Sequence, residues 1–286
     1  MITVPSIAST FTLANGVKVP CIGLGTWQVP DDDDLVKHLH YAIELGYRHI
    51  DTAHIYGNER SVGQAVRTCG VPREKLFVTS KLWNSDRGYR ETLAAFDRTL
   101  STLGLEYLDL YLIHWPAARG EAMTWQSINS GTWRAMEEIY QSGRVRAIGV
   151  SNFMIHHLVP LLARAKVAPM VNQLEFHPGY MQKPTVDFCR ERGIQIEAWS
   201  PLGRGALIRH PLLTELGRKY GVSSAQIALR WCLQHGAIAL PKSMNPERCR
   251  ENTELFGFSI DPDDMSRIDA MPQTGFSGLD PDHVTF

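Results

Sequence analysis

The chain has 286 residues, 44% apolar and 21% charged, an ordinary globular mix with room for one large domain or two small ones. Its formal net charge is -1, without a basic tail that would speak for nucleic acid, and no apolar run is long enough to span a bilayer. Five cysteines, none in a C-x-x-C pair, read as reduced thiols, and no signal peptide is visible, so a cytoplasmic protein is expected.

Phe11-Thr12-Leu13, Asn15-Gly16 and Val17-Lys18-Val19 read as a small hairpin, because Asn-Gly is the strongest short turn signal. Strand and helix signals alternate after it. Cys21 to Thr26 is an apolar strand containing glycine. The acidic run Asp31 to Asp34 supplies favourable charge to the N-terminus of a helix that continues to Leu45. In that helix Leu35, Leu39, Ala42 and Ile43 share one face. His49 to Ala53 is the next strand, followed by a loop holding Tyr56 and a helix from Glu59 to Thr68. Then come the strand Leu76 to Ser80 and the helix Arg90 to Leu103, with Leu93, Phe96, Leu100 and Leu103 in one stripe. Tyr107 to Ile113 is a strand, and a polar loop to Ser130 leads into a helix over Thr132 to Gln141. The strand Val145 to Val150 precedes the helix Ile155 to Ala165, and Met170 to Glu175 precedes Pro184 to Arg192. Ile194 to Ala198 is followed by two helices, Leu212 to Tyr220 and Ser224 to Gln234. Ala237 to Leu240 is the last strand, with a helix opening at Asn245-Pro246 and another near Asp263 to Ala270. A tail rich in Gly and Pro closes the chain.

Eight strand–helix units with continuous apolar strands, over about 250 residues, have the count and length of a single (β/α)8 TIM-type barrel spanning 1–286. A doubly wound open sheet alternates in the same way. Against it, Gly23-Leu24-Gly25-Thr26-Trp27-Gln28 lacks the third glycine of the dinucleotide fingerprint, and no G-x-x-x-x-G-K-[ST] occurs.

Polar residues fall at the ends of three successive strands: Asp51, Lys81 and His114, with Tyr56 in the loop after the first. In a barrel those ends are neighbours at the face that carries chemistry. An ammonium at Lys81 would favour phenolate at Tyr56 and lower its pKa, while Asp51 would hold Lys81 charged and in place. His114 could donate a hydrogen bond to an oxygen on which negative charge develops. Each residue alone has a plain structural reading, a capping Asp51 or a satisfied strand-end His114; the joint arrangement is what points to catalysis. No metal pattern competes: there is no H-E-x-x-H, and His156 and His157, adjacent on a helix, are expected to diverge on its solvent side. His38 and His40 share no helix face. At the last strand, Asn245 is a good N-cap and Pro246 suits the first helical position, so amide groups there could meet an anion. Arg248, Glu251 and Asn252 are spaced i, i+3, i+4 along that helix.

Asp51-Thr52-Ala53-x-x-Tyr56-Gly57-Asn58-Glu59-x-x-Val62-Gly63, Gly149-Val150-Ser151-Asn152-Phe153 and Leu240-Pro241-Lys242-Ser243 occur in order along the chain. They resemble the signatures of the aldo-keto reductase superfamily, and the length and short loops resemble its bacterial branch that includes 2,5-diketo-gluconate reductases. The resemblance implies a barrel that binds NADPH without a Rossmann fold and reduces aldehydes and ketones. It implies Tyr56 as general acid, with Lys81 and Asp51 tuning it and His114 orienting the carbonyl. Ser151, Asn152 and Gln173 resemble the residues that hold the nicotinamide carboxamide; Gly25, Thr26 and Asp51 also match cofactor positions. Ser200 and Leu202 match the pyrophosphate segment. Lys242, Ser243 and Arg248 match the 2′-phosphate contacts, and Glu251 and Asn252 the adenine contacts. Trp199 stands where many relatives place tyrosine, and its larger π-face should still stack on the nicotinamide. Trp27, Ile55, Trp83 and Trp115, with His114, match positions lining the substrate pocket; Trp125 and Trp133 read as packing residues. The expected partner is a small-molecule carbonyl substrate, with the protein a monomer, away from membranes and nucleic acid. Two rival readings stay open: a cofactor-binding sensor barrel with vestigial activity, and an unrelated barrel hydrolase or isomerase using Asp51 and His114.

Overall fold

A computed structural model describes residues 4–286, so the first three residues of the expected 1–286 domain lie outside the described residues. Asn15-Gly16 turns the antiparallel hairpin of β1 (Thr10–Thr12) and β2 (Lys18–Pro20), with Gly16 at a φ of 85° that a side chain would resist. Strands and helices then alternate: β3 (Leu24–Gly25), α1 (Asp33–Glu44), β4 (His49–Asp51), α2 (Glu59–Thr68), β5 (Phe77–Leu82) and α3 (Tyr89–Leu103). The series continues through β6 (Leu108–Ile113), α4 (Trp125–Gln141), β7 (Val145–Ser151), α5 (Ile155–Leu162), β8 (Val171–Glu175) and α6 (Lys183–Arg190). It ends with β9 (Gln195–Trp199), α7 (Pro211–Tyr220), α8 (Ser224–Gln234), β10 (Ile238–Leu240), α9 (Pro246–Glu251) and α10 (Pro262–Asp269).

The eight strands β3 to β10 stand in chain order, each parallel to the next. The ring closes where Gly23 N–H donates to the Ala239 carbonyl at 2.9 Å and Ala239 N–H to that of Cys21 at 3.1 Å. Closure removes the sheet's edges and rules out the open doubly wound alternative. Because helices cover the outside and side chains fill the inside, every residue of β5 and β6 is buried. α1 buries Leu35, Leu39, Ala42 and Ile43 as its periodicity requires, and Asp32 caps it by accepting from the Asp34 and Leu35 amides.

Two local expectations change. α4 begins at Trp125, well before Thr132, so part of the expected loop is helix. Its first turns, with Ser127, Asn129, Ser130 and Gly131, carry weak helix formers and no capping side chain at Thr124, which is why they read as a polar loop. On α5, His156 is exposed but His157 is buried, and the rings do not diverge: their centroids are 3.9 Å apart. Asp282 in the C-terminal tail draws both together, 2.8 Å from His156 Nε2 and 3.1 Å from His157 Nε2. His157 Nδ1 accepts the Met154 N–H at 3.2 Å, which leaves Nε2 as the protonated nitrogen facing the carboxylate.

α2 packs on α3 through Gly63, where a Cβ would stand 1.8 Å from the Leu103 carbonyl oxygen. Arg67 also donates to that oxygen, which fixes it from the other side. Gly63→Ala is therefore expected to destabilise the protein by about 3 kcal/mol, the upper range for overpacking, read as a lowered denaturation midpoint. An unchanged midpoint would mean that the two helices separate freely.

Candidate active site

The carboxyl ends of the strands bring the expected polar residues to one mouth of the barrel. Asp51 is the last residue of β4, Lys81 the penultimate one of β5, and His114 follows the end of β6. Lys81 Nζ donates to both carboxylate oxygens of Asp51 at 2.6 Å, to the Thr52 carbonyl at 2.9 Å and to Tyr56 Oη at 3.4 Å. Tyr56 stands edge-on to His114 with ring centroids 5.7 Å apart. The four side chains therefore meet as the strand-end reading requires.

Their charge states follow from burial and neighbours. Burial works against the Lys81 charge, but Asp51 and Tyr56 outweigh it and hold the ammonium's pKa above its ordinary value. The expected lowering of the Tyr56 pKa is not the net result. Burial raises it, the Lys81 ammonium lowers it and the Asp51 carboxylate raises it again, so the group stays a phenol at neutral pH. The His114 pKa is pushed well below the usual imidazole range, by burial first and Lys81 second. Its Nδ1 is buried without a partner among the described residues, so the ring's other nitrogen is the one that could serve a ligand oxygen.

The rest of the first signature builds the loop. Asn58 Nδ2 donates to the carbonyls of Thr26 and Val29, both at 2.9 Å, and its oxygen accepts from Thr52 Oγ1 at 2.8 Å. Glu59 accepts from Ser80 Oγ at 2.6 Å and pairs with His54 at 3.1 Å. Gly57, at φ 69°, turns the chain between Tyr56 and this anchor. Thr26 donates its hydroxyl to the Asp51 carbonyl at 3.0 Å, tying β3 to β4, and the Gly25 amide donates to the Pro241 carbonyl at 3.0 Å.

On the opposite side of the mouth, Ser151 Oγ donates to the Gln173 carbonyl at 2.9 Å. Asn152, at φ 64°, is engaged at both ends of its amide. Its nitrogen reaches the His114 carbonyl at 2.9 Å, and its oxygen accepts from Trp199 Nε1 at 2.8 Å. That bond pins the indole at the end of β9. Gln173 donates to Asp51 at 3.3 Å and to Glu197 at 2.9 Å. Ser200 adopts φ 50° just beyond Trp199, and Leu202 is half-buried in the same turn. Two residues that hold no place in the sequence reading join the rim. The Arg204 guanidinium lies 5.1 Å from the Trp27 ring, and Phe286 stacks on Trp83 at 5.3 Å and meets Trp115 edge-on at 5.5 Å. Trp27 and Ile55 are exposed, whereas Trp115 is buried.

Beyond β10, Lys242 and Arg248 are exposed and form no ion pair among the described residues. Ser243 Oγ accepts the Asn245 amide at 3.1 Å, and the Asn245 side chain accepts the Arg248 amide at 3.0 Å. That amide is thus already satisfied by the cap, and the exposed cations Lys242 and Arg248 are without a carboxylate partner among the described residues. Glu251 is half-buried and Asn252 buried, so the i, i+3, i+4 set runs from solvent into the fold. A carboxylate-held ammonium beside a phenol, a neutral imidazole, an amide cluster and a separate dication form a donor set that fits a phosphorylated dinucleotide with a carbonyl compound at its reactive end.

Comparison with known proteins gives the same picture. The model of the "Aldo/keto reductase family" matches residues 21–272. The chain is 51% identical over 279 residues to "Uncharacterized oxidoreductase YtbE" of Bacillus subtilis, covering 96% of this chain and 97% of that protein. It is 47% identical over 281 residues to the "Glyoxal reductase" of the same organism, covering 98% and 99%. A crystallised variant of Gox0644 in complex with NADPH superposes with a TM-score of 0.90 at 38% identity, covering 98% of this chain and 99% of that one.

Proposed function

The chain belongs to the aldo/keto reductase family, and from that membership we propose that it reduces aldehydes and ketones to alcohols with NADPH, using Tyr56 as the proton donor. The observation that carries the reading is the Lys81 ammonium, 2.6 Å from Asp51 and 3.4 Å from Tyr56 Oη, beside the neutral His114 ring. The cofactor, when bound, supplies the hydride that the carbonyl carbon accepts. Tyr56 releases its proton to the carbonyl oxygen, and Lys81 stabilises the phenolate left behind until solvent restores the proton. His114 donates an N–H to the same oxygen and fixes its place against Tyr56. Trp27, Ile55, Trp83 and Trp115 wall the substrate, and apolar walls strengthen the polar contacts inside. Ser151, Asn152 and Gln173 hold the carboxamide end. Trp199, held by Asn152, stacks on the ring, while Gly25 and Thr26 form the adjoining wall. Ser200 and Leu202 meet the pyrophosphate, Lys242, Ser243 and Arg248 the 2′-phosphate, and Glu251 and Asn252 the adenine.

We take residues 1–286 as one reductase domain, supported by one contiguous apolar core, and as a monomer, since of its exposed large apolar residues Trp27, Ile55 and Phe286 belong to the mouth of the site and Met123, Val159 and Ile208 lie on separate segments. Five free cysteines support a reducing compartment such as the cytoplasm. No helix among the described residues is long and apolar enough to cross a membrane. A steady-state screen of keto-sugars, keto-esters and aromatic aldehydes, followed by loss of NADPH absorbance, tests the reading. Tight NADPH binding with no turnover across the panel would instead favour the sensor barrel. The phosphate assignment has its own test: Arg248→Ala should weaken NADPH about tenfold more than NADH, because only the former carries the partner of the lost guanidinium. Equal weakening of both would remove that role.

A further inference from the structure

Glu197 is a buried carboxylic acid inside the barrel for which the reduction has no use. It is the register partner of Gln173 on the neighbouring strand, so the two side chains stand side by side. The two N–H groups of Gln173 are aimed at two carboxyl groups, Glu197 Oε2 at 2.9 Å and Asp51 Oδ2 at 3.3 Å. With both donors taken, only the amide oxygen of Gln173 is left to face a ligand, and an oxygen is the atom that accepts from a carboxamide NH2. Without Glu197 only the longer bond to Asp51, at 3.3 Å, would be left to hold the amide in that orientation.

The groups facing Glu197 from the packed strands supply no free cation. His49 Nε2 on β4 lies 3.9 Å from Glu197 Oε1 and bonds Thr79 Oγ1 at 3.0 Å; burial and Lys81 drive its pKa down to about 3, so the ring is neutral. Lys81 on β5 is already committed to Asp51. Glu197 Oε1 has no hydrogen-bond partner among the described residues. Burial first, and the Asp51 carboxylate second, push the Glu197 pKa up to about 8. The acid is therefore neutral at pH 7 and ionises, without a counter-ion, as the pH rises through about 8.

We propose that Glu197 is a positioning residue for the cofactor: it fixes the face that Gln173 turns toward the nicotinamide carboxamide, and its ionisation shifts affinity from the neutral reduced ring toward the cationic oxidised ring. The proposal rests on the reductase reading and on Gln173 facing the carboxamide. The sign is simple. A new anion in the barrel interior attracts the positive ring of NADP+ and gives NADPH no equivalent gain. Titration of the cofactor phosphates is common to both forms and cancels in their ratio.

The test measures Kd for NADPH and NADP+ by tryptophan quenching between pH 6.5 and 9.5 for the intact wild type, Glu197→Gln and Glu197→Leu. In wild type the ratio Kd(NADPH)/Kd(NADP+) should rise by about fivefold or more across that window, the size expected for one charge at high effective dielectric. Glu197→Gln, which keeps an acceptor but cannot ionise, should give a flat ratio. Glu197→Leu, which keeps the volume but removes the acceptor, should weaken both cofactors. A flat ratio in wild type, an equal slope in Glu197→Gln, or unaltered binding by a folded Glu197→Leu would overturn the proposal. Absence of saturable NADPH binding by the wild type would be a different failure, that of the reductase reading, and would remove the premise with it.

Discussion

Tyr56→Phe is expected to lower kcat for carbonyl reduction by about a hundredfold or more, the lower range for a lost general acid, with NADPH affinity close to that of wild type. The substitution removes one oxygen and keeps the ring that packs edge-on against His114. The size of the effect depends on which group in the cluster can give up a proton at neutral pH. Lys81 holds its protons against Asp51, with its pKa raised. His114 is kept neutral by burial and Lys81, so it can donate a hydrogen bond but has no extra proton to give. Tyr56 is left, a phenol whose pKa is raised, next to an ammonium that stabilises the phenolate once formed. Reduction by wild type should accordingly persist through neutral pH, without an inflection in the imidazole range. Near-wild-type turnover by Tyr56→Phe, or a rate falling away through the imidazole range, would transfer the acid role to His114.

The part of this arrangement that was readable in the sequence is the part written locally. Alternating apolar strands and amphipathic helices gave the barrel, and strand ends gave Asp51, Lys81 and His114 without any knowledge of what lay beside them. The remainder depends on contacts between distant positions. Glu197 reads as one residue of an ordinary apolar strand until register sets it against Gln173. His157 reads as a surface residue until Asp282 of the tail arrives beside it. Phe286 and Arg204 sit in tail and loop segments whose path no periodicity encodes. The net direction of the Tyr56 pKa is not legible for a related reason: its ammonium neighbour can be read, but the burial and the Asp51 charge that outweigh it emerge only when three strands are packed together.

Lys81→Met should cost both stability and activity, and the two losses can be separated. Lys81 is fully buried, and its ammonium is the cation in hydrogen-bond contact with the Asp51 carboxylate. Removing one member of a buried pair leaves the other charge unsolvated, a loss of about 3–5 kcal/mol. That loss should grow as the pH rises through the range where an exposed carboxyl ionises, because the unfolded chain then gives up a proton that the folded variant, its buried carboxyl deprived of the Lys81 ammonium, retains. The double variant Lys81→Met/Asp51→Asn removes both charges. It should regain most of the lost stability, since a neutral buried pair carries no such penalty, and its stability should lose that pH dependence. It should not regain activity, because the phenolate of Tyr56 would still lack its cation; kcat is expected to stay about a hundredfold or more below wild type. Thermal unfolding and single-turnover reduction on wild type, Lys81→Met, Asp51→Asn and the double variant complete the double-mutant cycle. If activity returned together with stability in the double variant, Lys81 would be a structural partner of Asp51 and the assignment of its charge to the proton-transfer step would fail.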